Sequence, residues 1–443
     1  MIRHIRHKII GLLVLWIKIG FMAYNVKVRP EKLKKVTYRD LLKIREAISV
    51  DAFTKLLSAI FEEDVRRIKN KEKVKISFLM YDTSLWCGNK LYELFKRDKR
   101  YDVDVIVCRR HDNRNANEDK NFQCGVERLK KTGVDVIPVY EDDDYNDVVA
   151  DVLFFLTPYD GTLADQFKFK KLTVDRLICY IHYGFSTNDM DVELPIRHIL
   201  WKEFVGDKEF GEKLKKQIAR NDEFIKYTGY PKLDYFYENN IGEEKENKEN
   251  KTIIWAPHWS IDDGLLYATF QDNYEFFLEY AKKNPEIKWI VKPHPNLFFS
   301  AVKSGLFSSE AEFARYMDEW SSLPNAEVVV GGNYQNQFCK ADAMILDSAS
   351  FIAEYQYVDK PMLFLRRDTQ TFNHFAKKIV EASYTVDGND LSGIEMFIHN
   401  VVVNGDDYKK DIREKTFKTS LDYYSDNGML ASDNIVGVIK KYF

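Results

Sequence analysis

The chain alternates between short apolar runs and longer stretches in which apolar positions recur every three or four residues. In the first half, the apolar runs predict five strands, at residues 74–80, 103–108, 134–139, 152–156 and 177–182. Helical stretches separate the runs, among them one that ends near residue 95 and one around 125–131. Strands that alternate with helices are typical of a parallel α/β sheet.

The second half repeats this alternation. Its apolar runs predict strands at residues 252–255, 289–291, 325–330, 343–346 and 362–365, with a helix over 265–283. Residues 239–251 lie between the halves and contain one apolar residue among many charged ones, which predicts a solvated linker. The pattern therefore predicts two α/β domains joined by a linker.

These boundaries divide the chain into five parts. Residues 1–70 form a basic, helical extension, 71–238 the first α/β domain, 239–251 the linker, 252–405 the second α/β domain and 406–443 a helical segment. No internal repeat is visible beyond the general alternation of strands and helices.

The segment 341–365 predicts a β–α–β unit. Its apolar strand, 343–346, leads into Asp347, Ser348, Ala349 and Ser350, and small hydroxyl residues after a strand typically begin a helix. A helix N-terminus attracts anions such as phosphate. Glu354 lies one turn after Ser350 on the same face, where a carboxylate can bind ribose hydroxyls. The alternative is an ordinary capped helix without a ligand.

Polar motifs follow two more strands of the second half. The sequence APHW stands at 256–259, and KPHP stands at 292–295. His294 lies between two prolines, whose restricted backbone can aim its imidazole at a phosphate. Because the carboxyl ends of parallel strands meet at one edge of a sheet, these motifs and the segment 347–350 predict one ligand site.

Composition narrows the class of protein. The 443 residues are 45% hydrophobic and 14% aromatic, which supports well-packed domains. The net charge of −3 argues against nucleic acid as the main partner. The five cysteines form no CxxC pair, which favours reduced thiols in a cytoplasmic protein. No cluster has metal-ligand spacing, and the acidic run 141–144 is typical of a solvated turn, so we predict no metal or other cofactor.

The first 40 residues differ from the rest. They hold ten lysines and arginines against two acidic residues, and residues 9–24 are apolar apart from Lys18. This run is shorter than the roughly 20 residues that span a bilayer. It predicts an interfacial helix that binds the anionic inner face of the cell membrane. The alternative is a helix packed on the protein itself.

Taken in order, the motifs resemble the CDP-glycerol glycerophosphotransferase family, the teichoic acid primases and polymerases. That family carries A-P-T-W, K-P-H-P, D-x-S-S with an acidic residue four positions later, and D-K-P before a strand. Here these motifs stand at 256–259, 292–295, 347–350 with Glu354, and 359–361. The family's G-Y-P turn is similar to residues 229–231. The resemblance covers residues 225–370 well and the first domain poorly.

The resemblance implies a GT-B architecture, in which two Rossmann-like domains face each other across a cleft. It implies transfer of glycerol phosphate from CDP-glycerol or another CDP-alditol to a surface polysaccharide or lipid-linked acceptor. The donor would be held by Lys292, His294, Asp347, Ser348, Ser350 and Glu354, with Asp347 mainly orienting its loop. The catalytic histidines would be His294 and His182, and His182 in the H-Y-G of residues 182–184 would be the base.

The sequence departs from the family's pattern in three places. The family has H-G-T where His182-Tyr183-Gly184 stands, Ser260 replaces the arginine that often follows A-P-T-W, and Ala349 replaces a serine. His182 could instead be a structural residue at a strand end. Two other classes of function stay open. One is a GT-B glycosyltransferase that uses a UDP- or GDP-sugar, and the other is a non-catalytic binding protein on the same fold.

Overall fold

Two helices precede the first sheet. The computed structural model describes residues 36–110, 118–141, 150–189, 193–220, 223–239, 250–330, 334–348 and 351–443. Helix α1 (Tyr38–Ala47) begins with a capping box between Thr37 and Asp40, and Ser49 caps α2 (Val50–Lys69). The apolar segment before residue 36, most of the predicted linker and Ser350 lie outside the described residues.

The first sheet is parallel throughout, and its strand order is β3-β2-β1-β4-β5-β6-β7. Its strands are β1 (Val74–Met80), β2 (Tyr101–Cys108), β3 (Val136–Val139), β4 (Val152–Phe155), β5 (Leu177–Ile181), β6 (Lys202–Val205) and β7 (Ile225–Tyr227). Its longer helices are α3 (Asn89–Lys96), α4 (Glu118–Lys131) and α5 (Lys208–Ile218). The central strands are almost entirely buried, as expected where helices cover both faces of a sheet.

The second sheet is also parallel and has the order β10-β9-β8-β11-β12-β13. Its strands are β8 (Thr252–Ala256), β9 (Lys288–Val291), β10 (Ala326–Val328), β11 (Ala343–Leu346), β12 (Met362–Arg366) and β13 (Tyr384–Asp387). The helices from the end of β7 onwards are α6 (Asp234–Glu238), α7 (Phe270–Lys283), α8 (Leu297–Lys303), α9 (Glu310–Ser322), α10 (Gln335–Lys340), α11 (Phe351–Glu354), α12 (His374–Glu381), α13 (Leu391–Met396), α14 (Lys410–Ser420), α15 (Tyr423–Asn427) and α16 (Ala431–Lys440).

Each domain has its own aromatic core. In the first, Phe78 of β1 stacks on Phe154 of β4 with ring centroids 5.0 Å apart. In the second, Trp255 lies 5.7 Å from Trp320 and is fully buried with it and with Trp289. Large buried aromatic side chains contribute much of the hydrophobic stabilisation of such cores.

The chain crosses between the domains twice, first at α6 and again at α15. The two crossings are joined through the Asp234 carboxylate, which accepts hydrogen bonds from the Tyr423 hydroxyl (2.6 Å) and from the backbone N–H groups of Ala431 (2.8 Å) and Ser432 (2.9 Å). After the second crossing, α16 packs on α3 and joins the core of the first domain.

Gly229, just before the first crossing, has a backbone φ of +89°. A Cβ atom there would lie 2.2 Å from the Tyr423 ring. Both the conformation and the space therefore require glycine at this point of the G-Y-P turn.

The loop after β5 contacts the second domain. Phe185 stacks on Phe375 with centroids 5.6 Å apart, and the Asn373 side chain donates a hydrogen bond to the Ser186 carbonyl at 2.7 Å. The Asn373 N–H also donates to the Thr187 carbonyl at 2.9 Å. The carboxyl ends of both sheets thus face a shared cleft.

All ten predicted strands are present, which confirms the alternation of strands and helices. The prediction missed β6, β7 and β13. The apolar pattern did not indicate β6, because Lys202 and Glu203 interrupt its apolar run although both side chains are buried. The helix predicted between β11 and β12 is one α-helical turn, α11, followed by a 3₁₀ segment over Tyr355–Val358. Among the described helices, none is long and apolar enough to cross a membrane.

Candidate active site

Three polar motifs meet at the carboxyl ends of adjacent strands. His258 follows β8, Lys292 follows β9, and Asp347 follows β11, in a sheet whose order is β9-β8-β11 at this place. Two backbone hydrogen bonds join the first two loops, from Lys292 N–H to the Trp255 carbonyl (2.8 Å) and from His294 N–H to the Pro257 carbonyl (3.1 Å). The structure thus brings together the described residues of the three motifs at one edge of the sheet.

The two histidines of these loops form a pair, with ring centroids 5.5 Å apart. The Nδ1 atom of His294 accepts the Asn296 N–H at 3.1 Å, and the Nδ1 atom of His258 accepts the Ser260 N–H at 3.2 Å. With Nδ1 acting as an acceptor, a neutral ring carries its proton on Nε2 and can donate it to a ligand.

Burial controls the charge of both rings. It lowers the pKa of His294 to about 4, with a further contribution from the Lys292 ammonium group. Burial and the neighbouring His294 lower the pKa of His258 to about 3. Both rings are therefore neutral at pH 7. His294 therefore adds no positive charge at this pH, and its chemical capacity here is that of a hydrogen-bond donor.

The positive charge comes from two lysines. Lys292 is buried, and this burial together with the nearby Lys232 lowers the pKa of its ammonium group to about 8. Lys232 follows the G-Y-P turn, on the first-domain side of the cleft. Its Nζ atom donates to the Ser84 carbonyl at 3.2 Å and lies 4.4 Å from the centroid of the Tyr334 ring, so it contacts both domains.

Sequence reasoning missed Lys232. The turn at 229–231 was recognised, but its role was not extended to the residue that follows it. A lysine directly after a rigid glycine–proline turn was the available signal.

Glu354 is a second charged group near Lys232. Its carboxyl group is 3% exposed and accepts a hydrogen bond from the Tyr334 hydroxyl. Burial raises its pKa to about 7, against the opposing effect of the Lys232 charge. Ser348 is buried at the end of β11. Ser350 lies outside the described residues, so its donor contact stays a prediction.

Asp347 connects the loops of this edge. Its Oδ1 atom accepts the His258 N–H at 2.6 Å, and its Oδ2 atom accepts the N–H and the hydroxyl of Thr269 at 2.6 and 2.9 Å. Burial raises the pKa of this carboxyl to about 6, although these hydrogen bonds oppose the shift. Such an arrangement orients the loop that carries His258, and direct contact of Asp347 with a donor stays a prediction.

His182 lies at the end of β5 in the first domain. Its Nε2 atom is 2.7 Å from the Glu203 Oε1 atom, and the Arg197 Nε atom donates to the same oxygen at 2.8 Å. Burial by itself raises the pKa of Glu203, but Arg197 and His182 outweigh it and leave that pKa below its usual value. The imidazole is therefore oriented by a buried carboxylate.

The end of β5 also adjoins the donor side of the cleft. Tyr183, the residue after His182, accepts a hydrogen bond from the Tyr230 hydroxyl at its carbonyl. Burial and then the Glu354 carboxylate raise the pKa of Tyr230. Tyr230 thus contacts the end of β5 and is close enough to Glu354 for the charge of that carboxylate to affect it. In the described part of the chain, no group of three or more histidine, cysteine or acidic side chains is placed to hold a metal ion.

Two parallel Rossmann-like sheets that face each other across a cleft define the GT-B class of α/β proteins. Within this class, residues 203–439, more than half of the chain, match the family model for CDP-glycerol:poly(glycerophosphate) glycerophosphotransferase. The chain belongs to this family and is a transferase of the glycerophosphotransferase type. The family suggested by the sequence motifs is thereby confirmed.

Solved structures share the fold at low sequence identity. The MnaA–UDP co-structure of S. aureus aligns at 14% identity, with 84% of this chain and 97% of that chain covered and a TM-score of 0.55. A UDP-GlcNAc 2-epimerase of Neisseria meningitidis bound to UDP-GlcNAc aligns at 14% identity over 83% of this chain and 100% of that chain, with a TM-score of 0.50. A variant of the wall teichoic acid polymerase TagF aligns at 13% identity over 91% of this chain and 93% of that chain, with a TM-score of 0.50. No curated protein sequence matches the chain.

Proposed function

We propose that the protein transfers glycerol phosphate, or a related alditol phosphate, from a CDP-activated donor to a hydroxyl of a cell-surface glycan or teichoic-acid-like acceptor, with release of CMP. The observation that carries the proposal is the match of residues 203–439 to this family, and it is supported by a buried Lys292 whose pKa is affected by the charge of Lys232. A pyrophosphate donor needs such paired cations, because negative charge builds up on the leaving CMP.

The donor phosphates are assigned to the two lysines and His294. Two ammonium groups that repel each other are both stabilised when an anion lies between them. Lys292 would neutralise one phosphate from the second domain, and Lys232 would approach from the other side of the cleft. The neutral His294 would donate its Nε2 proton to a phosphate oxygen. Ser348 and Ser350 complete the proposed phosphate site.

The ribose of the donor is assigned to Glu354. The Tyr334 hydroxyl already holds this carboxyl group in one orientation, and Lys232 favours its ionised form. An ionised carboxylate accepts hydrogen bonds from the paired hydroxyls of a ribose. Donor binding therefore favours deprotonation of the Glu354 carboxyl group, whose pKa in the free protein is about 7.

The acceptor's proton is assigned to His182. Its imidazole would take the proton as the new phosphate ester bond forms between the acceptor oxygen and the glycerol-bearing phosphorus. The bond from that phosphorus to the CMP oxygen breaks in the same transfer. The Glu203 carboxylate, held by Arg197, would orient the ring and stabilise the imidazolium that results.

Release of CMP from CDP-glycerol tests the donor assignment. Lys292→Gln, Lys232→Gln and His294→Ala should each lower kcat/KM at least about tenfold, because each variant removes a hydrogen bond to a charged phosphate. Lys288→Gln removes an exposed lysine from the start of the same strand β9 and should leave the rate unchanged. Full activity in His294→Ala would exclude His294 from the reaction.

Thermal unfolding distinguishes this function from the alternatives. CDP-glycerol, CDP-ribitol, UDP-glucose and CMP should be compared at equal concentration, because a ligand that binds only the folded state stabilises it. A rise in Tm with UDP-glucose alone would favour the glycosyltransferase. Stabilisation by CDP-glycerol without CMP release, tested with glycerol phosphate polymers as acceptors, would favour a binding protein.

The proposed location of the reaction rests on the first 40 residues. Their eight excess positive charges and their apolar run suit a cytoplasmic protein held at the inner face of the cell membrane, where a lipid-linked acceptor lies.

Vesicle binding tests this location. The full chain should bind phosphatidylglycerol vesicles but not phosphatidylcholine vesicles, and added salt should weaken the binding. Replacing Lys8, Lys18 and Lys27 by glutamine should reduce it about a hundredfold, because each charge near an anionic surface contributes about 1 kcal/mol. Equal binding of both vesicle types would contradict an electrostatic attachment.

A further inference from the structure

A cavity lies in the first domain, away from the cleft of the candidate active site. It has a volume of about 710 Å³ and is lined by α1, by the segment before β6 and by the end of α5. These segments meet where β5 and β6 begin, since the Tyr38 N–H of α1 donates to the Leu172 carbonyl before β5. His182, in contrast, follows the end of β5. The cavity thus lies at the amino ends of the strands of the first sheet, and the cleft lies at their carboxyl ends.

The lining of this cavity is predominantly basic. It holds four basic side chains, Arg39, Lys43, Arg45 and Lys170, against the acidic Glu46 and Glu193. Within the described residues, the three basic side chains from α1 form no ion pair with any carboxylate. On the next helix, by comparison, Lys55 pairs with Asp51 at 2.8 Å.

The floor of the cavity adds to this positive potential. His198 and Arg45 line the cavity, and two buried arginines, Arg197 and Arg220, are close enough to affect the His198 imidazole. Burial and then the charges of Arg45, Arg220 and Arg197 lower the pKa of His198 to about 4. Arg197 is paired with Glu203, so Arg45 and Arg220 supply the positive potential at this point, and the neutral imidazole contributes a polar hydrogen-bonding group there.

We propose that this cavity binds a phosphate-bearing ligand, with Lys43 and Arg45 as its main contacts. Its volume falls in the range of small-molecule sites, and Leu42, Pro195 and Ile218 supply apolar surface for the organic part of such a ligand. Arginine and lysine side chains that converge without carboxylate partners are well suited to phosphate oxygens. The phosphate can belong to a phospholipid headgroup or to a soluble glycerol phosphate ester.

Equilibrium binding to the full chain tests the proposal with three probes. These are glycerol 3-phosphate, a short-chain phosphatidylglycerol below its micelle concentration, and the uncharged diacylglycerol of the same chain length. The double variant Lys43→Gln/Arg45→Gln should weaken binding of at least one phosphate probe about tenfold or more, because two charged contacts are lost. Loss for phosphatidylglycerol alone identifies the lipid source, and loss for both phosphate probes identifies the soluble ester.

Two further double variants test whether binding depends on the side chains of the cavity and not only on the net charge of the protein. The double variant Lys283→Gln/Arg315→Gln removes the same charge from exposed helix positions in the second domain and should not change binding. Glu46→Gln/Glu193→Gln removes the acidic side chains of the cavity and should tighten binding, which keeps the test valid if the first variant folds poorly. Unchanged phosphate binding in both cavity variants, or equal binding of the uncharged diacylglycerol, would overturn the proposal.

Discussion

The His182→Asn variant is expected to transfer glycerol phosphate at least about a hundredfold more slowly than the wild-type protein, which is a typical loss for a missing general base. Asparagine can still donate a hydrogen bond to Glu203, so the packing around β5 should be kept. Affinity for CDP-glycerol should barely change, because a base acts only as the new bond forms. The measurements are single-turnover CMP release and equilibrium binding of the donor.

The pH profile adds a second readout. At saturating CDP-glycerol, where protonation of Glu354 does not limit donor binding, wild-type turnover should fall as the pH is lowered, because a protonated imidazole cannot accept the acceptor's proton. This acid limb should disappear in His182→Asn. Glu203→Gln should give a smaller loss, since it weakens the orientation of the ring but leaves the base in place. His399→Asn, at an exposed histidine of the second domain, provides the matched control.

Two outcomes would show that His182 has only a structural role. One is normal turnover in His182→Asn. The other is a parallel loss of donor binding and turnover together with a lower Tm, which would mean that the buried imidazole mainly supports the fold near β5.

The Asp234→Ala variant is expected to lower the free energy of unfolding by about 3 kcal/mol, since three hydrogen-bond donors lose a charged acceptor in a buried place. These donors belong to Tyr423, Ala431 and Ser432, so the substitution should loosen the start of α16. Urea unfolding followed by circular dichroism measures the change, and hydrogen exchange should increase at residues 431–440.

A nearby substitution tests whether the effect is specific. Asp433→Ala removes an exposed carboxylate of the same helix that lies 3.7 Å from Lys90, and exposed pairs of this kind contribute less than about 1 kcal/mol. If Asp234→Ala and Asp433→Ala have equally small effects, the junction between the two crossings does not depend on the Asp234 carboxylate.

Much of the fold could be predicted because its central strands are uniform apolar runs between polar stretches. Residues 343–346 were placed correctly for this reason. Strand β6 could not be found in this way, since its charged residues are buried and have partners elsewhere in the fold, such as His182 at the end of β5 for Glu203. Alternation in the sequence does not reveal a partner of this kind.

The candidate site, too, could be predicted from the sequence only in part. Rigid motifs such as KPHP indicated which residues share an edge of the sheet, because strand ends fix their positions. The contribution of Lys232 could not be predicted, since it depends on how closely the two domains approach. The neutral state of His294 could not be predicted either, because it follows from burial beside another cation.

The return of α16 to the first domain has a consequence for unfolding. Ile435 and Ile439 of this helix are buried in the same core as β1, although the entire second sheet separates them along the chain. If the second domain were unfolded, α16 could complete the core of the first domain only by closing the whole second domain as a flexible loop, which costs conformational entropy. We expect the two domains to melt in a single calorimetric transition, rather than in two independent ones.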